Sequence, residues 1–231
     1  MSPKLYHGTA ARHLPDIKAN GLRPRGKRKG NWQHSVESCP DAVYLTNAYA
    51  LHYAHEAAKP GEALAVLEID VGLLAPWWLA PDEDWLEQVS RKQEGHAPLG
   101  KPMKARTRWY RSRLMNYATN WQDSLKGLGN CTYHDVIAPM AITRVALVDA
   151  QTNNGLVWMA GIDPTITLMN YRICGPKYRN AMRRLFGEAD GHEPDDLMTS
   201  LRDPEREAAR HAAVEELWSR VQIGPLQQYA T

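Results

Sequence analysis

Lys4-Leu5-Tyr6-His7 runs into Gly8, and from Ala10 to Asn20 the apolar residues Leu14 and Ile17 keep a helical rhythm that stops at Gly21. This stretch reads as strand, turn, helix and glycine cap. Moving outward, Asp41-Ala42-Val43-Tyr44-Leu45-Thr46 reads as a second strand. Asn47 is expected to N-cap a helix through Ala48, Leu51, His52 and Ala58 that ends before Pro60-Gly61. A middle strand follows over Ala63-Leu64-Ala65-Val66-Leu67-Glu68-Ile69-Asp70-Val71. Tyr44 and Tyr53 therefore come from different elements.

Four segments stand in a fixed order here: Tyr6-His7-Gly8-Thr9, Asn20-Gly21-Leu22, Val43-Tyr44-Leu45-Thr46 and Ala50-Leu51-His52-Tyr53-Ala54. Together they resemble the NAD-binding half of the ADP-ribosyltransferase superfamily. The resemblance covers residues 4–58 and, less fully, 131–148, and does not reach 95–130 or anything after 150. It implies an α+β fold with a split antiparallel β-sheet core, flanking helices and a mostly helical C-terminal extension. It also implies NAD as a substrate, with no metal. Gly8 would pair its backbone with the nicotinamide carboxamide, an approach that a Cβ would obstruct. His7 would bond a ribose hydroxyl, Thr9 would belong to the same strand site, and Tyr44 and Tyr53 would wall the nicotinamide ring. Such offset stacking contributes roughly 0.5–1.5 kcal/mol beyond the area buried. Read singly, a His-Gly pair is a turn and a strand tyrosine is core, and Tyr44 and Tyr53 could pack against the first helix.

Cleaving the nicotinamide–ribose bond develops positive charge on the ribose, which a carboxylate stabilises. The family usually places a glutamate at the start of a late strand. The corresponding stretch is Tyr133-His134-Asp135-Val136-Ile137-Ala138-Pro139, followed by Ala141 to Val148, so the expected acid is Asp135. Rifamycin-modifying members use an aspartate placed after a middle strand, and this chain carries an acidic knot there, Pro81-Asp82-Glu83-Asp84-Trp85-Leu86-Glu87. Asp84 ranks second and Glu87 third, against a plainer reading of the knot as acids in the first turn of a helix. Arginine-targeting members carry an acid or glutamine two positions before the catalytic acid; Tyr133 stands there, which disfavours protein arginine as acceptor.

The chain has 231 residues, 43% of them hydrophobic, enough for one domain with an extension. The expected division is a catalytic domain over 1–150 and an extension over 151–231. No stretch approaches a membrane span and the N-terminus lacks an apolar leader, so a cytoplasmic setting without membrane contact is expected. Cys39, Cys131 and Cys174 are odd in number and widely spaced, which fits a reduced compartment.

The net charge of +2 conceals segregation. Arg23, Arg25, Lys27, Arg28 and Lys29 crowd into one loop. Lys101, Lys104, Arg106, Arg108, Arg111 and Arg113 form a second run without an acid, interleaved with Trp109 and Tyr110 and followed by Tyr117 and Trp121. Charge that tracks a phosphate backbone and rings that stack on bases are what a single-stranded nucleic acid requires. The alternative is a solvated helix face. The C-terminal third shows short apolar elements near 157–169, a basic helix from Pro176 to Phe186 ended by Gly187, and a helix from Asp203 to about Val221.

The expected function is mono-ADP-ribosylation of a macromolecule with nicotinamide release, as in toxins and phage or bacterial effectors. Nucleic acid, held through Arg106, Arg108, Trp109, Tyr110 and Arg111, is the first acceptor and protein the second. The rival from another class is a degenerate fold that binds NAD or nucleic acid without turnover.

Overall fold

The computed structural model describes residues 3–27, 38–93, 105, 108–109, 112, 120–159, 182–183, 185–188 and 204–229. Among these residues seven strands run: β1 (Lys4–Ala10), β2 (Val43–Thr46), β3 (Leu64–Asp70), β4 (Leu79–Pro81), β5 (Asn130–Tyr133), β6 (Ile142–Val148) and β7 (Gln222–Gly224). The helices are α1 (Leu14–Asn20), α2 (Ala50–Ala57), α3 (Glu83–Gln93), α4 (Trp121–Leu128), α5 (Ala150–Met159) and α6 (Pro204–Ser219). All strands join one antiparallel sheet in the order β4-β5-β2-β1-β3-β6-β7. The fold is α+β.

Pairing along the sheet is uneven. β1 pairs with β3 at all seven of its residues, from Lys4↔Asp70 to Ala10↔Leu64, but with β2 at Tyr6↔Thr46 alone. The sheet therefore parts between β1 and β2 beyond Tyr6, leaving β4-β5-β2 on one side and β1-β3-β6-β7 on the other.

Side chains alternate between the two faces, as the pleat demands. On one face Leu5, Val43, Leu45, Leu67, Ile69, Cys131 and Val145 pack with Leu14 and Ile17 of α1. On the other, Tyr6, Leu64, Val66, Ala146 and Val148 pack with Ala50, Leu51 and Ala54 of α2 and with Met182, Leu185, Phe186 and Trp218. Two irregular connections cross the first face. Residues 71–78 run from β3 to β4, and residues 134–141 run from β5 to β6. Leu74, Ile137 and Ala141 are their inward anchors in the core.

Several elements depart from the sequence expectation in informative ways. β1 does not turn at Gly8 but continues to Ala10. α1 ends as expected at Gly21, whose φ of 76° is the left-handed conformation that glycine adopts without penalty. α2 begins at Ala50 rather than after Asn47. The reason is Thr46: its Oγ1 accepts the Ala48 and Tyr49 amides, each at 3.0 Å, and so holds the chain in a turn before the helix starts. The late strand occupies Asn130–Tyr133, upstream of its expected place. The end of the chain returns to the sheet, with β7 pairing to β6 and Leu226 fully buried in the core of the first face.

Candidate functional site

The parting between β1 and β2 is bridged by a side chain. His7 Nδ1 lies 2.9 Å from the Tyr44 carbonyl oxygen. A carbonyl only accepts, so Nδ1 carries the proton and Nε2 is left with its lone pair. Burial, followed by the nearby His13 charge, holds the imidazole below its usual range, although the Tyr44 carbonyl pulls the other way. His7 is thus a neutral, oriented ring whose free nitrogen accepts hydrogen bonds.

Tyr44 is fixed at both ends. Its backbone pairs with Thr132 in β5, and its hydroxyl donates to Glu83 Oε2 at 2.6 Å while accepting from the Cys39 amide. Burial first, then the negative charge of Glu83 and Asp82, pushes the phenol well above its usual range, so it stays a donor. Glu83 stands in the first turn of α3, and Glu87, one turn further on the same helix side, is buried with it. Asp82 lies just before them and burial, with the Asp84 and Glu83 charges, pushes its carboxyl well above the carboxylate range.

Tyr53 reaches the same region from α2. Its hydroxyl accepts from Asn130 Nδ2 at 2.8 Å. Asn130 opens β5 opposite Thr46, two residues from the Tyr44↔Thr132 pair, so Tyr44 and Asn130 project from one face as diagonal neighbours about 7–8 Å apart at the backbone. Two half-buried tyrosine rings on the α2 face and the half-buried His7 imidazole, which alternates with Leu5 onto the α1 face, therefore flank the opening between β1 and β2 from opposite sides of the sheet.

No protein-family model and no curated protein matches this chain.

Gly8 occupies this region with a different constraint from the one expected. A Cβ at Gly8 would lie 1.9 Å from the Ala50 carbonyl oxygen and 2.5 Å from the Ala54 amide nitrogen. The missing side chain is what seats α2 on β1, and α2 in turn carries Tyr53. Thr9, the next residue, is buried on β1.

Asp135 is not brought to these residues. It follows β5 instead of opening it, is exposed, and turns its Oδ1 back to its own neighbour's amide, Val136 N, at 2.7 Å. The residue that does open the strand is an amide, Asn130. Of the acidic knot, Glu83 contacts the site, whereas Asp84 donates its backbone amide to the Asp82 side chain at 2.9 Å. In the basic-aromatic run, Arg108 is exposed and Trp109 half-buried within a helical turn closed by Ser112 N to Arg108 O at 2.9 Å. Arg106, Tyr110 and Arg111 lie outside the described residues. In the first basic loop, Arg23 is engaged with Asp16 at 2.8 Å and Arg25 with the Ser38 carbonyl at 2.7 Å.

Sequence reasoning missed Asn130 and Glu83. A signal for Asn130 was present: Asn120 and Asp123 form a capping box at the start of α4, and Gly129, with φ of 78°, ends it. A strand that starts after that glycine starts at Asn130.

Proposed function

We propose that the protein is an NAD-dependent mono-ADP-ribosyltransferase whose site is the opening between β1 and β2. The observation that carries this reading is the placement of His7, Tyr44 and Tyr53, from three elements, beside the opening between β1 and β2, each held by a hydrogen bond of its own. Nε2 of His7 is the acceptor for a ribose hydroxyl, and the two tyrosine rings flank the nicotinamide. In the reaction the bond between ribose C1′ and nicotinamide N1 breaks, the electron pair leaves with the nicotinamide, and an acceptor nucleophile forms the new bond to C1′ and gives up its proton. Glu83, rather than Asp135, is the carboxylate we assign to the developing ribose charge, since it is the acid bonded to a wall of the site. The basic-aromatic run favours nucleic acid as the acceptor, and protein is the second candidate.

The test is nicotinamide release from NAD, with transfer of label to separate pools of single-stranded DNA, RNA and protein. Glu83→Gln retains an acceptor for the Tyr44 hydroxyl but removes the charge, so NAD affinity should stay within a few-fold while turnover drops by ~10²-fold or more. Asp135→Asn should leave turnover unchanged. If Asp135→Asn abolishes release and Glu83→Gln does not, the acid has been misassigned. If His7→Ala combined with Tyr53→Ala binds NAD as the parent does, the site lies elsewhere.

A further inference from the structure

On the first face of the sheet, the connections 71–78 and 134–141 run beside each other in opposite directions. Residues 71–73 touch 139–141 at one end, and the His134 amide donates to the Trp78 carbonyl at 2.9 Å at the other. Their inward residues fill the core, but their outward ones are apolar as well: Trp77 and Met140 are each 76% exposed, Leu73 55%, Val136 42% and Trp78 41%. Taking about 250 Å² for a whole tryptophan, these five side chains leave on the order of 500–600 Å² of apolar surface in water, at the upper end of what a monomer tolerates.

We propose that this surface is a self-association interface, occupied by a second copy of the chain in a two-fold arrangement. Two such surfaces placed together would remove roughly 1,000–1,200 Å² in total, the lower bound for a specific interface. With a net charge of only +2, long-range repulsion between copies is small. The surface lies across the sheet from the Tyr44 and Tyr53 rings.

Analytical ultracentrifugation of the full chain between ~1 µM and ~1 mM tests this, the range in which an interface of minimal area associates. The weight-average mass should rise with concentration from 26.1 kDa toward twice that value. Trp77→Ser with Met140→Ser should hold the protein at the monomer mass while leaving far-ultraviolet circular dichroism and the unfolding midpoint unchanged, since both residues are exposed. A protein that is monomeric across the range overturns the proposal, as does a dimer that the double variant leaves intact. A monomer whose tryptophan emission shifts to the blue on phosphatidylcholine vesicles overturns it in favour of a lipid surface.

Discussion

His7 shows how one hydrogen bond decides what a residue can do. With Nδ1–H spent on the Tyr44 carbonyl, the ring is a lone-pair acceptor only while it stays neutral, and burial favours that state. The same burial depresses His52 on α2. An unfolded histidine takes up a proton near pH 6.5, and these two resist doing so when folded. Their contribution to stability is complete above about pH 6.5 and is lost as pH falls through the lower folded values. Asp82 acts oppositely: its raised carboxyl keeps a proton that the unfolded chain releases, so its contribution is lost as pH rises. Urea unfolding at pH 7.5 and 5.5 should therefore show a smaller gap between the two midpoints in His7→Gln and His52→Gln than in the parent, a comparison in which Asp82 cancels. An unchanged gap would refute the assignment. Tyr44 permits a second test at this scale. Tyr44→Phe keeps the ring but leaves Glu83 without that donor, which should cost about 1–3 kcal/mol in denaturant unfolding while NAD affinity changes little. Tyr44→Ala should lose both.

At the scale of elements, Gly8 connects the packing of α2 to the candidate site. α2 sits so close to β1 that any side chain at Gly8 would meet the helix backbone, not a yielding side chain. Gly8→Ala should lower stability by more than the 1–3 kcal/mol usual for overpacking, because backbone must move. It should also displace Tyr53 and weaken NAD binding, measurable by calorimetry. Gly61 is the contrasting case: nothing lies within 4 Å of a Cβ there, so its φ of 79° alone sets the cost of a side chain. The elements themselves were largely legible: the short run before Gly8, the apolar run over Ala63–Val71 and the glycine stop of α1 follow from composition and capping. Asp135 was misplaced for a physical reason. The ladder ends at Tyr133, opposite Val43 on one side and Leu79 on the other, and only the His134 amide reaches on, to the Trp78 carbonyl, so Asp135 falls in the connection beyond the strand. Pairing partners are long-range facts that a local pattern does not carry. The Tyr44–Glu83 bond spans 39 residues and was invisible for the same reason.

For the molecule as a whole, the division into a catalytic domain ending near residue 150 and a separate extension does not match where the core is closed. β7 hydrogen-bonds to β6 from Val145↔Gly224 to Leu147↔Gln222, and Leu226 has no exposed surface. Lys18 of α1 donates to the Gln227 carbonyl at 3.2 Å, fastening the last turn across the helix. The other core is closed in the same manner from the C-terminal side, where Phe186 stacks on Tyr6 at 5.3 Å with the Arg144 guanidinium 4.9 Å from its ring. Residues late in the chain thus cover both faces of a sheet whose first strand carries His7. Leu226→Ala should cost about 2–5 kcal/mol, the range for emptying a buried leucine site. A chain ending at Val221 should lose more, since it also gives up the edge strand over β6, and nicotinamide release should fall in step with the folded fraction measured by circular dichroism. If the truncated chain keeps the parental unfolding midpoint, the return of the C-terminus is ornamental and the folded unit does end near residue 150.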